Sequence, residues 1–393
     1  MIYLDANATT PLLPEALDAM MPWLVGGYHN PNSPYSGARE ARRAINTARE
    51  QVASLIGAEP DEIIFTSGGT ESTNTALKWL ARMVGRSTGR VVTSSIEHSA
   101  VKKPCENFAE VGYPVTFTPV HCDGRLDLEA FRAACEEARE GGGFASIMWA
   151  NNETGVIQPI AEACAIAKEH GLAFHTDAVQ AAGKIPVNVR EVAVDFLSLS
   201  GHKFHGPKGI GALYVRRGCR FEPLLRGGGQ EKDRRSGTEN TPGIVGLGKA
   251  AALASARTNG TCDLAEIRDA FESQVLREVE GATVNGDTAH RVPGTSHLSF
   301  DGCEAAGLII LLDDMGIACS AGSACMTGQQ TPSHVQVAMG IPHAKSISSL
   351  RFGFSCLNTM EEATKAAECV KKAVEKLRRV QGSGIGPVMV YSA

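Results

Sequence analysis

The sequence LAFHTDA at residues 172–178 reads as a buried strand that ends in a polar loop, and two more strand patterns follow, DFLSLS at 195–200 and GIGALYVRR at 209–217. Upstream, EIIFT (62–66) and RVVTSS (90–95) have the same character, and helical patterns lie between most of these runs. Such alternation predicts an α/β fold with a mainly parallel sheet that helices cover on both faces. After about residue 258 the pattern changes to helices and a few short strands, which predicts a second, smaller α+β domain.

The composition describes a large globular chain rather than a nucleic-acid-binding or membrane protein. The 393 residues are 43% hydrophobic and 21% charged, with a formal net charge of −5. A mildly acidic chain lacks the basic surface that binds nucleic acid, and no apolar run is long enough for a membrane span. The first residues lack the pattern of a secretory signal, and the 11 cysteines are an odd number. We therefore expect a cytoplasmic protein with free thiols and no nucleic-acid or membrane partner.

Asp177 and Lys203 each follow one of these strands, at the edge of the sheet where α/β proteins bind ligands. Taken alone, Asp177 would be interpreted as a helix cap, and Lys203 as a phosphate contact or a surface charge. Together they meet the needs of pyridoxal 5′-phosphate (PLP), which takes a lysine for its covalent link and an acid to keep its pyridine nitrogen protonated. The spacing by itself is a weak signal, because many chains contain such a pair by chance.

The loop SGGTES, which follows EIIFT, predicts a binding place for the phosphate. Its glycines and hydroxyls stand at the start of a helix, where backbone N–H groups and the helix dipole favour an anion. Gly69 and Thr70 are the candidate ligands, and Ser200 and His202 add donors from the lysine loop. The alternative is an ordinary turn in which Thr70 or Ser72 caps the helix.

Two further side chains, His98 and Arg351, also belong to predicted strand regions. His98 follows RVVTSS, where an imidazole can stack on a cofactor ring and move protons, although a lone histidine there is more often structural. Arg351 lies in SSLRFGFS, where a guanidinium can hold a substrate carboxylate through two hydrogen bonds. The alternative for Arg351 is a salt bridge at the surface or between domains.

Cys325 lies in a run of small residues, SAGSACMTG, between Gly322 and Gly328. This composition predicts a mobile loop, and an exposed thiol in such a loop is a candidate nucleophile. Cys319 stands six residues earlier, a spacing that suits no common metal site, so we expect no metal. We interpret Cys319 as a packing residue, with a regulatory disulfide as a minor alternative.

Together these motifs resemble the NifS/IscS cysteine desulfurases. YLDANATT, FTSGGTES, EHSAV, WANNETG, FHTDAVQ, LSGHKFHGPKG, RRSGTEN and SAGSACMTG occur in the order that this family shows, over about residues 2–380. The resemblance is strongest to the NifS-like group with the longer cysteine loop. It implies PLP-dependent fold type I, with a large seven-stranded domain at 15–257, a small domain at 1–14 and 258–393, and a homodimer.

The resemblance also implies a role for each candidate residue. Lys203, Cys325 and His98 would be catalytic, as the covalent link to PLP, the carrier of the persulfide and the ring that stacks on the cofactor. The cofactor would contact a set of side chains and backbone groups around the lysine: Gly69, Thr70, Asn152, Asp177, Gln180, Ser200, His202, Lys203 and Thr238. Within this set, Asp177 would pair with the pyridine nitrogen, Gln180 would bind the ring oxygen, and Thr238 would reach the phosphate of the neighbouring subunit. Arg351, Asn7 and Asn152 would hold the substrate.

The implied activity is the conversion of L-cysteine to L-alanine, with the sulfur passing to Cys325 and then to a sulfur acceptor or iron–sulfur scaffold protein. The alternatives are a selenocysteine lyase, another PLP-dependent enzyme of the aminotransferase kind, or a sulfur-relay scaffold without catalysis. Three departures from the family pattern, Ala6, His29 and Tyr35, concern the substrate side of the site. The tail after about residue 381 matches no motif.

Overall fold

The computed structural model describes residues 1–86, 89–139, 141–258, 264–321 and 332–382. Contacts between Cα atoms divide the chain into two compact units. The large unit comprises Thr9–Asn152 and Val156–Thr261. The small unit comprises Met1–Ala8, Glu153–Gly155 and Cys262–Ala393, of which residues 262–263, 322–331 and 383–393 lie outside the described part.

The described chain contains short strands and longer helices in alternation. The strands are β1 (Ile2–Tyr3), β2 (Ile63–Thr66), β3 (Arg90–Ser94), β4 (Val115–Thr118), β5 (Gly143–Ser146), β6 (Ala173–Asp177), β7 (Phe196–Ser200), β8 (Gly211–Val215), β9 (Ala282–Val284), β10 (Thr295–Phe300), β11 (Ile317–Ala318), β12 (Ser320–Ala321) and β13 (Ser349–Gly353). The helices are α1 (Pro14–Val25), α2 (Ser36–Leu55), α3 (Gly69–Val84), α4 (Ser99–Glu110), α5 (Leu128–Arg139), α6 (Ile160–Glu169), α7 (Gln230–Asp233), α8 (Thr241–Thr258), α9 (Leu264–Glu278), α10 (Ala305–Asp314), α11 (His334–Ala338), α12 (His343–Ser346) and α13 (Met360–Gly382).

The large unit is built on a seven-stranded sheet with the order β2-β8-β7-β6-β5-β3-β4. The five strands from β7 to β4 pair in parallel, whereas β8 pairs antiparallel with both β7 and β2. The predicted mainly parallel sheet and fold type I are therefore confirmed. Strands β7 and β8 are buried along their whole length, and their side chains are apolar or small, with two serines in β7.

The small unit has an antiparallel sheet with the order β12-β13-β10-β9 and a parallel pair formed by β1 and β11. Its core is aromatic and aliphatic: Phe271 lies 4.8 Å from Phe352 and 5.3 Å from Phe354 between ring centroids. Helices α9, α10 and α13 contribute further buried side chains to this core, and so do the strands, as the α+β prediction requires. Among the described residues, no helix combines the length and the apolar character needed to cross a membrane.

Candidate active site

The chain's candidate lysine lies in the large unit at the carboxyl end of the sheet. Strand β6 ends at Asp177 and the adjacent β7 ends at Ser200, and these two strands run parallel. A single turn of 3₁₀ helix, Gly201–Lys203, then carries the lysine. Because neighbouring parallel strands end at one edge, Asp177 and Lys203 lie at the same edge of the sheet.

The charges of Asp177, His98 and Lys203 act on one another. Burial raises the pKa of Asp177, and the nearby His98 and Lys203 oppose that rise. The surrounding protein keeps water from part of His98 and so lowers its pKa, and the charge of Lys203 acts in the same direction. Asp177 acts against this shift, and the residue as a whole is exposed at the surface. A buried carboxyl group of this kind favours a cationic partner, which a protonated ring nitrogen would supply.

His98 also begins a helix. It is the N-cap of α4, and its Nδ1 accepts a hydrogen bond from the N–H of Ala100 at 3.1 Å. This bond orients the imidazole, because it fixes which ring nitrogen faces the helix. The sequence analysis placed His98 just after a strand, and the structure agrees, since β3 ends at Ser94. The hydrogen bond to the N–H of Ala100 then holds the imidazole in place.

The loop around Lys203 is fastened to the segment Thr9–Pro11. Thr10 donates hydrogen bonds to the carbonyl of His202 from its N–H at 2.9 Å and from its hydroxyl at 3.1 Å. The same hydroxyl accepts the N–H of His205 at 2.7 Å. His205 has a left-handed backbone with φ of 71°, which non-glycine residues rarely adopt. Thr10 therefore holds the backbone on both sides of Lys203.

The loop before α3 is shaped for close approach of an anion. Gly68 has φ of 154° and precedes the helix without a side-chain cap, so the alternative that Thr70 or Ser72 caps this helix is wrong. A Cβ on Gly69 would lie 2.6 Å from Cγ2 of Val179 and 3.5 Å from Cβ of Ser200. The N-terminus of the sixteen-residue α3 thus lies beside the strand ends that carry Asp177 and Ser200, where its N–H groups favour a phosphate.

The remaining cofactor candidates lie in the large unit and differ in how far they are buried. Gln180 is buried and its side-chain oxygen accepts a hydrogen bond from Lys184. Asn152 is half-buried, whereas Thr238 is exposed and lines a cleft with Ser67. Burial and nearby lysines, Lys203 first among them, lower the pKa of His202 to about 4, so its imidazole is neutral at pH 7. The assigned roles of these residues stay predictions.

Glu97 is a buried acid that the sequence did not single out. Its Oε1 accepts hydrogen bonds from the hydroxyl of Ser94 at 2.6 Å and from the N–H of Met148 at 2.9 Å. Burial raises its pKa to about 8, and the charge of Asp177 adds to that rise. The adjacent His98 in the motif EHSAV was the only available signal for this position.

The small unit contains two of the three predicted substrate residues, Arg351 and Asn7, whereas Asn152 belongs to the large unit. Arg351 lies on β13, is buried, and donates a hydrogen bond from Nη2 to Oδ1 of Asp5 at 2.8 Å. Asn7 is buried beside the same strand: a Cβ on Gly353 would lie 2.8 Å from the Asn7 backbone nitrogen. Asp5 is a partner that the sequence analysis did not name, although it lies in the motif YLDANATT.

The two cysteines of the C-terminal motif differ in what the structure describes. Cys325 lies outside the described residues. Cys319 is half-buried and packs against the small-unit core, as its interpretation as a packing residue requires. Burial raises its pKa to about 12, and the charge of Asp5 contributes to that rise, so this thiol stays protonated at pH 7. A protonated, half-buried thiol is a poor nucleophile.

Comparison with known proteins gives the family. The model of the class-V aminotransferases matches residues 2–365. The cysteine desulfurase of Cereibacter sphaeroides is 46% identical over 385 residues, which covers 98% of both chains. The chain belongs to the cysteine desulfurases of the class-V aminotransferase family. Among solved structures, this desulfurase is similar to a NifS-like protein, with a TM-score of 0.88, 34% identity and coverage of 96% and 100%. It is also similar to SspA in complex with cysteine, with a TM-score of 0.80, 34% identity and coverage of 90% and 99%.

Cysteine desulfurases depend on PLP, and the large unit of this desulfurase has the donor set that PLP requires. It offers the lysine Lys203, the buried acid Asp177, whose pKa burial raises and Lys203 lowers, and a glycine loop at a helix N-terminus. A side chain at Gly69 would fill the space beside Val179 and Ser200, so the loop is kept open at this point. The residues present therefore fit the cofactor.

Proposed function

We propose that this chain is a PLP-dependent cysteine desulfurase that takes sulfur from L-cysteine onto Cys325 and passes it to an acceptor in iron–sulfur cluster assembly. The observation that carries the proposal is that two adjacent parallel strands place Asp177 and Lys203 at the same carboxyl edge of the sheet. His98 is near enough for the three charges to influence one another. The near full-length match to a cysteine desulfurase supports the choice of substrate.

The residues of the chain then have separate tasks. When bound, PLP supplies an electron-withdrawing ring that accepts the electrons released at the substrate Cα. Asp177 keeps a proton on the ring nitrogen, because a buried carboxylate favours a cationic neighbour. Lys203 tethers the cofactor and its Nζ takes the proton from the substrate Cα. His98 stacks on the ring, and Arg351, held by Asp5, binds the substrate carboxylate.

The sulfur step needs no outside oxidant or reductant. The Cys325 thiolate attacks the sulfur of the substrate, a new S–S bond forms, and the Cβ–S bond breaks with its electron pair left on carbon. Protonation of that carbon gives the methyl group of alanine. The net change, enzyme thiol plus cysteine to enzyme persulfide plus alanine, balances in atoms and electrons. An acceptor thiol or iron–sulfur scaffold then removes the outer sulfur.

The test is to purify the protein, record its visible spectrum, and measure alanine and sulfide formed from L-cysteine. Cys325→Ala should keep the yellow cofactor and lose sulfide release, because the acceptor of the sulfur is gone. Lys203→Ala should lose the visible band of enzyme-bound PLP. Cys122→Ala removes an exposed thiol and should leave turnover unchanged. Normal turnover in Cys325→Ala would refute the proposed carrier, and a colourless wild-type protein would refute the cofactor.

The exposed apolar side chains of α1 support a homodimer. Leu24 and Val25 are 55% and 76% exposed, and Leu17 and Met21 on the same helix are 42% and 43% exposed. Apolar side chains clustered in this way are more typical of an interface than of a monomer surface. We propose that a second copy of the chain covers them.

A further inference from the structure

A strained turn lies next to the glycine loop that precedes α3. Glu231, Lys232 and Asp233 have φ of 51°, 57° and 64°, so the four-residue α7 is a turn in which three consecutive non-glycine residues adopt the left-handed backbone. Residues with a Cβ adopt this region rarely and as single residues. Backbone strain of this extent persists only where the surroundings fix it, and it marks segments whose shape is needed.

A buried ion pair fixes the turn. Arg49 donates two hydrogen bonds of 2.7 Å to the Glu231 carboxylate, and the side chains are 15% and 3% exposed. The same carboxylate accepts the N–H of Phe65 on β2 at 3.0 Å, and the guanidinium lies 4.6 Å from the Phe65 ring centroid. The start of the turn is thereby joined to the strand that leads into the glycine loop.

The end of the turn delivers Arg235 to the glycine loop itself. Its Nε and Nη2 lie 2.9 Å and 3.2 Å from the two carboxylate oxygens of Glu71. Glu71 stands in the first turn of α3, and its Oε2 accepts the N–H of Ser67 at 2.8 Å. The carboxylate of Glu71 thus lies against the loop Ser67–Thr70.

The negative charge of the Glu71 carboxylate opposes the binding of a phosphate in this loop. Burial alone would raise the pKa of Glu71, but the hydrogen bonds from Arg235 and Ser67 outweigh it and leave the pKa lowered. Glu71 is therefore negatively charged at pH 7. A second anion at the same helix N-terminus would repel it, unless a cation neutralises the carboxylate first. Arg235 is the cation that contacts it.

We propose that Arg235 is a positioning residue for the cofactor: it neutralises Glu71 and so keeps the loop Ser67–Thr70 able to hold the phosphate dianion. The strained turn at 231–233, fixed by Arg49, is the device that brings Arg235 to Glu71. This inference rests on the proposed function, because the anion is the phosphate of PLP.

The test measures the rate at which the holoenzyme releases PLP, followed by loss of its visible absorbance after dilution. Arg235→Gln should release PLP about tenfold faster, because it leaves the Glu71 charge uncompensated. The double variant Glu71→Gln/Arg235→Gln should return to near the wild-type rate, since the repelling charge is also gone. If the ion pair only held the loop in shape, the double variant would lack it too and would release PLP as fast as Arg235→Gln.

Two more variants keep the test decisive. Arg235→Lys retains the positive charge and should stay within about threefold of the wild-type rate. Arg82→Gln breaks an exposed ion pair with Glu222 at the other end of α3 and should leave PLP release unchanged. Wild-type release from Arg235→Gln, or no recovery in the double variant, would overturn the inference. Absence of PLP from the wild-type protein would instead refute the proposed function, and PLP binding without desulfurase activity would leave this inference standing.

Discussion

At the scale of single residues, Glu97 is a buried acid whose protonation is strongly affected by the fold. It is fully buried, and its pKa is raised to about 8 by burial and by Asp177. The folded protein therefore holds this proton up to about pH 8, whereas the unfolded chain loses it above its ordinary value of 4.5. Between these values the folded state binds more protons, so the contribution of Glu97 to stability falls as the pH rises.

Glu97→Gln should remove that dependence, because glutamine imitates the protonated acid at every pH. We expect similar free energies of unfolding for variant and wild type near pH 5. Near pH 8 the variant should be more stable, by on the order of 1–3 kcal/mol. Urea unfolding at the two pH values measures the difference, and the buried histidines cancel because both proteins carry them. The exposed Glu136→Gln serves as control; an equal gap at both pH values would contradict the assignment.

At the scale of elements, the short segment Thr9–Pro11 acts as a clasp on the turn that carries Lys203. It contacts His202 and His205 through side chains and backbone, including Thr9 to His202 at 3.1 Å and His205 to the carbonyl of Pro11 at 2.9 Å. Thr10 is 3% exposed, so its side chain is largely shielded from bulk water. The clasp therefore helps to hold Lys203 in place, because it binds the residues on both sides of the lysine.

Thr10→Ala should loosen the turn, since it leaves the His205 N–H without the hydroxyl that it donates to. The expected loss of unfolding free energy is about 1–3 kcal/mol, and the purified protein should carry less than one PLP per chain. Thr10→Ser keeps the hydroxyl and should retain the cofactor. Chemical denaturation and the absorbance of bound PLP give the two values. If Thr10→Ala kept its full PLP content and its stability, the hydrogen bond from the Thr10 N–H to His202 would be enough to hold the turn, and the hydroxyl would have no such role.

At the scale of the whole molecule, the proposed homodimer places α1 in an interface. Leu24→Glu puts a charge among apolar side chains that a second copy would cover, so it should shift the mass in light scattering from two chains toward one. Leu276 on α9 is also exposed, at 41%, and Leu276→Glu is the matched control that should stay dimeric. A wild-type protein that behaves as a monomer at micromolar concentration would contradict the dimer.

The sequence predicted those parts of the site that follow from local rules. Asp177 and Lys203 were found because each comes directly after a strand, and parallel strands of one sheet end at a common edge. The glycine loop was found because its composition suits a helix start. The alternative for this loop, a helix capped by Thr70 or Ser72, is wrong: Gly68 stands at the cap position of α3, and glycine has no side chain with which to cap.

The parts that escaped prediction depend on contacts between residues far apart in the chain. Thr10 meets His202 and His205 across 192 and 195 positions, and Arg235 meets Glu71 across 164. Neither threonine nor arginine has a local pattern that reveals such a partner. The burial of Glu97 likewise comes from the packing of Ser94 and Met148 around it, which no periodicity records.

The clasp between Thr10 and the lysine turn joins two segments that are synthesised far apart in time. A nascent chain must reach about residue 205 before residues 10 and 202 can meet. At the usual speed of a ribosome, roughly 10–40 s separate the synthesis of the two ends of this contact. Until then Thr10 has neither of these partners, and a fragment that ends before residue 202 cannot form the contact at all.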